Sequence, residues 1–357
     1  MAISEYKCPA CGGTMEFNPK TQNLKCPFCD TEMGLEEYKK QAGTDASADE
    51  KSSAKQPANP DEEIEGYNIY SCESCGGEII AEEITGTATC PFCGNNIVVK
   101  EKFTGKNRPD YVLPFKFTQK EAKTKYKEYI RSKLKFLPNA FIDENHIDQI
   151  RGLYIPFWLY SADVTGEGSY KGDKIKTWKE GNVEFTETSH FDVTRKGNFS
   201  FSNIPVDASK EMPDDIMDTL EPFDLSEIKE FDMMYLAGFI ANKYDVSDEE
   251  AYPRAEKRIT NSTHAMLSDT LSSYNSTNTV FENIDIDKKK PDYALFPIWF
   301  LNTTWNGTQY LFAMNGQTGE FVGNLPCDKN KVTRYGVIVS LISIVLIYIV
   351  TSIFVGM

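Results

Sequence analysis

Histidine is almost missing from this chain of 357 residues: His146, His190 and His264 are scattered and belong to no motif. Histidine carries much of general acid–base chemistry near neutral pH, so that poverty speaks against an enzyme. No G-x-x-x-x-G-K-[ST] loop is present, which excludes a P-loop nucleotidase or helicase. G-x-S-x-G, H-E-x-x-H and the dinucleotide fingerprint are absent too. Positive charge is in deficit, with 38 Lys and Arg against 53 Asp and Glu, a net charge of −15. So acidic a chain is repelled by nucleic acid unless a local basic patch compensates. The opening MAISEYKCPACGG has no apolar leader, so no secretory signal is expected and the cysteines are placed in the reducing cytoplasm. Residues 41–63 hold no aromatic and no large aliphatic side chain. Such a stretch cannot offset its ordering entropy and is expected to be a flexible linker, with a reach of about 25 Å.

What is present is organised around cysteine. Eight of the nine cysteines form four C-x-x-C pairs, and Cys327 is left over. Cys8 and Cys11 are followed after 14 residues by Cys26 and Cys29. The device returns with the same spacing as Cys72, Cys75, Cys90 and Cys93. Each C-x-x-C turns two sulfurs to one side, and a hairpin of this length brings the second pair to face the first. Four thiolates then complete a tetrahedron at about 2.3 Å from a zinc ion. Gly12, Gly76, Gly94 and Asp30 follow second cysteines, where positive φ is needed. Pro9, Pro27 and Pro91 pre-set three of the turns. Redox C-x-x-C motifs come singly beside a βαβ pattern, and a catalytic zinc keeps an open position, so two structural Zn²⁺ ions are expected. Deprotonating eight thiols around two Zn²⁺ takes the net charge to about −19. Residues 1–40 and 64–104 are the two expected zinc ribbons.

The far end is greasy. From Gly336 to Gly356 there are 21 residues without a charge. At about 1.5 Å per residue they span roughly 31 Å, the thickness of a hydrocarbon core. Residues 335–357 therefore read as a transmembrane helix. Lys329, Lys331 and Arg334, in the short segment 327–334, precede it and no base follows, so the positive-inside rule keeps the bulk of the chain cytoplasmic.

Residues 109–326 read as an α+β domain, largely antiparallel. Thr118 and Glu121 are spaced as a capping box, with Ala122, Tyr126, Ile130, Leu134 and Leu137 following at helical intervals until Pro138. The opposite face carries Lys120, Lys123, Lys125, Lys127, Arg131, Lys133 and Lys135 against Glu121 and Glu128. A solvated face and a contact with anionic lipid both fit that pattern. GLYIPFWLYSADVTGEGSY from Gly152 and YALFPIWFLNTTWNGTQYLFAMNGQTGEF from Tyr293 resemble each other. Each reads as an aromatic strand with Pro-x-Trp, then a polar strand turning through glycine, an internal pseudo-repeat. Pro156 and Pro297 are expected at strand starts or edges, and Trp158 and Trp299 in the core. A second helix is expected from about Ser247 to Tyr274, broken or started near Pro253.

The tandem C-x-x-C blocks, LPFKFTQKEA, RGLYIPFWLY, NGQTGEFVGNLP and the terminal span together resemble a bacterial family. Its members are catalogued as TFIIB-type zinc-ribbon proteins and often as primosomal replication-restart helicases. The missing P-loop rules out the helicase label. The resemblance implies a part in a membrane-stress system. Its partners would be phage-shock-protein-A-like, SPFH-domain and TPM-domain proteins, and it implies no catalytic residue. The function expected is a non-enzymatic, membrane-anchored adaptor, able to form homo- or hetero-oligomers. The alternative is a membrane-tethered regulator that binds nucleic acid through the ribbons. Against it, the hairpins carry Glu16, Lys20 and Lys25 in one block and Glu78, Glu82 and Glu83 in the other, without the basic and aromatic stripe such binding uses. Cys327 has no evident base beside it and reads as a bystander or a lipidation site.

Overall fold

The computed structural model describes residues 6–45, 63–72, 76–82, 98–104, 108–139, 141 and 150–355. Cys75, Cys90, Cys93, Pro91, Gly94 and residues 46–62 of the expected linker lie outside the described residues.

The chain opens with β1 (Glu16–Asn18), β2 (Asn23–Lys25) and β3 (Glu32–Met33), followed by α1 (Leu35–Asp45). The helix thus takes up residues 41–45. Next come β4 (Glu63–Ser71), β5 (Glu78–Glu82), β6 (Val98–Thr104), β7 (Tyr111–Val112) and α2 (Gln119–Lys133). β8 (Arg151–Glu180), β9 (Val183–Asp207), α3 (Asp214–Thr219) and β10 (Lys229–Glu230) follow. A 3-10 turn (Met233–Leu236) leads to β11 (Ile240–Asn242), α4 (Asp248–Asp269) and β12 (Ser276–Lys288). The chain finishes with β13 (Asp292–Trp305), β14 (Thr308–Asn315), β15 (Phe321–Gly323) and α5 (Lys329–Val355).

β1–β2–β3 form a small antiparallel sheet. The other twelve strands make one sheet whose spine runs β10-β7-β13-β8-β11-β5-β4-β6. β11 beside β8 and β7 beside β13 are parallel; the other pairs are antiparallel. The class is therefore mixed α+β and largely antiparallel.

β8 and β13 lie side by side at the centre, and both of their faces are covered. That is why IPFWLY and LFPIWFL read as continuous apolar runs rather than alternations. One face packs Tyr154, Phe115, Trp299 and Phe312 under Ala122 and Tyr126 of α2. The other packs Leu153, Phe157, Phe296 and Phe300 under Ile216 and Met217 of α3. Trp299 is buried and its indole donates to the Phe117 carbonyl at 3.2 Å. Trp158 is half-buried and donates to the Val246 carbonyl at 2.9 Å.

Pro156 and Pro297 are not at starts or edges. They stand inside the two central strands, opposite Leu295 and Tyr154 respectively. The missing N–H costs nothing there because each proline falls where the neighbour changes. β11 pairs β8 up to Tyr154 and β9 takes over at Phe157. β7 pairs β13 up to Leu295 and β14 takes over at Ile298. Each proline carbonyl accepts a bond from the incoming segment, Ala208 N–H at 2.9 Å and Gly316 N–H at 2.8 Å.

The polar half of the first pseudo-repeat does not turn at its glycines. β8 runs unbroken for 30 residues and reverses only at Gly181, where φ is +60°. At about 3.3 Å per residue it spans roughly 100 Å before twist shortens it. With β9 and β12 it makes a long arm, three-stranded as far as Asp173 and two-stranded beyond. The interior glycines serve packing. A Cβ on Gly166 would lie 3.1 Å from Thr263 and 3.2 Å from Leu267 of α4, and on Gly172 it would lie 2.7 Å from Tyr274. α4 lays Ala251, Ala255, Ile259, Thr263 and Leu267, one residue per turn, along the arm. It starts at a capping box of Ser247 and Glu250 and continues through Pro253. The proline removes one hydrogen bond near the start of a long helix.

Candidate metal centre and its seat

Cys8 and Cys26 are buried, Cys11 and Cys29 exposed. The four sulfurs lie within 4.8 Å of one another, with Cys8–Cys29 and Cys11–Cys26 both at 3.5 Å. A tetrahedron with metal–sulfur bonds of about 2.3 Å has edges of about 3.8 Å. The donors thus fit one tetrahedral ion, and four sulfurs suit zinc or iron.

The local backbone sets this up. Cys8 N–H donates to Gly13 O at 2.7 Å and Gly12 N–H returns to Cys8 O at 2.8 Å. Cys26 N–H donates to Thr31 O and Asp30 N–H to Cys26 O, at 2.9 and 3.0 Å. Gly12 and Asp30 have φ of +74° and +60°, as the spacing requires. The Thr31 hydroxyl and amide draw the Cys29 thiol down to about 6. The Gly13 amide pulls on Cys11, but the sulfurs of Cys29 and Cys26 outweigh it and push that thiol up to about 12. Four sulfurs this close keep protons among them unless a cation takes their place.

Cys72 repeats the first knuckle. It is buried, its N–H donates to Gly77 O at 3.0 Å, and Gly76 N–H returns to Cys72 O at 2.8 Å with φ of +82°. Cys75, Cys90 and Cys93, the ligands expected with it, are outside the described residues.

The first module is docked on the main domain. Phe17 N–H donates to Ala237 O at 3.0 Å, and its ring meets Tyr235 edge-on at 5.2 Å. Met234 and Ala237 share one buried cluster with Met15, Phe17, Leu24, Cys8 and Cys26. Gln22 donates to Phe115 O at 2.8 Å, and Lys39–Asp232 and Lys20–Glu121 pair at 2.7 Å. Four residues beyond Ala237, β11 pairs Ala241 with Ile80 of β5. One ten-residue segment, 233–242, thus meets both the first cysteine module and β5, the strand that follows Cys72. Nothing in FDMMYLAGFIAN marks it as a seat, because its partners lie far away in sequence.

The NGQTG stretch is structural. The Asn315 carboxamide oxygen accepts from Gln317 and Thr318 N–H, and its amide donates to Leu220 O at 2.8 Å. Gln317 donates to Asp224 O and Glu227 and accepts from Asp224 N–H. These bonds bind the β14–β15 turn to residues 220–227.

The capping box on α2 forms as spaced, with Thr118 N–H donating to Glu121 at 2.9 Å. Ala122, Tyr126 and Leu137 are buried, but Leu134 is 40% exposed because α2 ends at Lys133 and the chain turns away. Cys327 is exposed. α5 is long and apolar enough to cross a membrane, and none of its candidate span is buried in the protein.

An α+β chain with a four-cysteine cluster at one end and an apolar helix at the other is the class these features define. The chain is 33% identical over 333 residues to the uncharacterized protein YdjG of Bacillus subtilis (strain 168), covering 93% of each. It belongs to the same family as that protein. No family model and no solved structure matches the chain.

Proposed function

We propose that the protein is a non-enzymatic adaptor anchored in the cell membrane by α5, with its bulk on the cytoplasmic side. Two structural Zn²⁺ ions would sit in Cys8, Cys11, Cys26, Cys29 and in Cys72, Cys75, Cys90, Cys93. The observation that carries the reading is α5 itself, apolar and, over Lys329–Tyr348, with none of its candidate span buried among the described residues. Such a surface is stable only in an apolar medium. The repeated knuckle at Cys72 supports the second ion. The metal ions shape surfaces rather than perform chemistry, since four sulfur ligands leave no open position. In the first module the knuckle side chain Phe28 stands 76% exposed beside the sulfurs, an apolar contact offered to a partner. Following the family resemblance, the partners proposed are phage-shock-A-like, SPFH-domain or TPM-domain proteins, in envelope stress.

The test is affinity capture from detergent-solubilised membranes with mass spectrometry, wild type against Phe28→Asp. Phe28 is exposed, so the variant keeps its metal and its membrane fraction. Capture of the cytoplasmic partner should fall at least about tenfold, the loss of one anchoring contact. Undiminished capture by the variant overturns the gripping role of the knuckle. Recovery of the wild type without detergent overturns the anchor.

A further inference from the structure

The turn that follows α2 is joined to the start of α5. Asp328, which caps α5 by accepting from Asn330 and Lys331 N–H, donates its own N–H to the Phe136 carbonyl at 2.8 Å. Lys331 donates to Leu137 O at 2.6 Å and to Asn139 at 2.7 Å. The Phe136 ring meets Tyr335 edge-on at 5.4 Å, and the Lys135 ammonium lies 5.7 Å from the same tyrosine. Tyr129 ties α2 to β15 through the Gly323 carbonyl at 3.1 Å, so the helix is rigidly held. Tyr335 is the first residue of the apolar run, the level at which aromatic side chains sit in the headgroup layer. The turn just after α2 is therefore fixed at that level.

From these contacts we propose that the C-terminal half of α2, with the turn that follows it, is a binding surface for anionic phospholipid headgroups of the bilayer that holds α5. Lys127, Arg131, Lys133 and Lys135 are exposed and form no ion pair among the described residues. Glu128 is the one carboxylate between Ala122 and Asn139. Were α2 to stand upright on the membrane, Arg131 would still be about 8 Å above Phe136 and Lys127 about 14 Å, at 1.5 Å per residue. The first is within the Debye length of about 10 Å at 0.1 M salt. Arg131, Lys133 and Lys135 thus feel the headgroups in any tilt, joined by exposed Lys329 and Arg334 from α5. Exposed Leu134 lies between two of the lysines, where an apolar side chain can enter the headgroup layer. In a chain of net charge −15 this is a local reversal of sign matched to an anionic surface.

The proposal rests on the membrane reading of α5, and the test separates the two. The full chain is placed in nanodiscs of phosphatidylcholine alone or with phosphatidylglycerol, and amide hydrogen exchange is followed over residues 127–139. Failure to enter discs defeats the membrane reading; entry without protection defeats only this proposal. Exchange should slow about tenfold or more in the anionic discs at low salt, each cation contributing about fivefold, and recover at 0.5 M salt. Arg131→Glu/Lys133→Glu/Lys135→Glu should lose the protection, and the milder glutamine triple variant should lose most of it. Equal exchange in both discs overturns the proposal. So does protection that survives in both variants, which would assign the lipid contact to α5 alone. Protection of the phosphatidylcholine discs by an added oligonucleotide, with no effect of anionic lipid, overturns it in favour of nucleic acid.

Discussion

Truncating one methionine should loosen the first cysteine module without melting the sheet. Met234 is 3% exposed, on the 3-10 turn that meets Phe17, Met15 and Leu24. Met→Ala in a filled core costs about 2–5 kcal/mol. This cluster lies at a boundary that can partly close, so about 3 kcal/mol is expected. The remaining contacts cannot make that good: Lys39–Asp232 and Lys20–Glu121 are partly exposed and worth about 0–1 kcal/mol each. A loss of that size shifts the docked-to-undocked ratio roughly a hundredfold. Hydrogen exchange on the zinc-replete full chain reads it at one amide. Phe17 N–H, bound to Ala237 O, should exchange about a hundredfold faster in Met234→Ala. Cys26 N–H, bound to Thr31 O inside the knuckle, and Leu113 N–H, bound to Leu295 O in the main sheet, should keep their rates. If Phe17 and Leu113 accelerate together, module and sheet are one cooperative unit and the reasoning fails. If none changes, the seat is not where the module is held.

Cys26→Ser should remove one metal ion per chain, measured by elemental mass spectrometry, and with it the protection of the Phe17 amide; unchanged metal content refutes the ligand set. Asp207 is 4% exposed, and burial, against the pull of Arg254, pushes its carboxyl up to about 6. Arg254 and Arg258 serve four carboxylates there, Asp207, Asp214, Asp218 and Glu221, so one retained proton is reasonable. A raised native value means the stabilisation is complete below the unfolded value of about 3.9 and is lost as pH climbs through about 6. Asp207→Asn should therefore gain about 2 kcal/mol on wild type between pH 4 and pH 7 in denaturant titrations, and a constant difference refutes it. Trp178→Ala/Phe185→Ala, at the stacked exposed pair near the arm's tip, should leave the melting temperature within about a degree; a larger fall would mean the tip is packed in solution.

Local chemistry was readable in advance where it is self-contained. Thr118 with Glu121, and Gly12 and Asp30 after their cysteines, act within one turn, and spacing alone finds them. What escaped notice depends on distant neighbours. Gly166 reads as a turn residue until α4 supplies Thr263 and Leu267 above it. Pro156 and Pro297 read as edge residues because sequence does not show where a strand changes partners. Leu134 fits the apolar stripe of α2 by spacing, yet the helix ends one residue before it. The seat at 233–242 has no periodicity, and Phe17 and Ala237 are separated by most of the chain. The second ligand set remains legible only as spacing, with Cys72 alone showing the expected closure.

β8 passes without interruption from Glu180 at the far end of the arm to Leu153 and Tyr154, which pair with Ile240 and Ala241 of β11. Its short end lies against β11, in the segment whose Met234 and Ala237 pack on the first cysteine module. A sideways load on the tip therefore bears on the place where β8 meets β11, through a lever arm of roughly 86 Å before twist shortens it, at about 3.3 Å per residue.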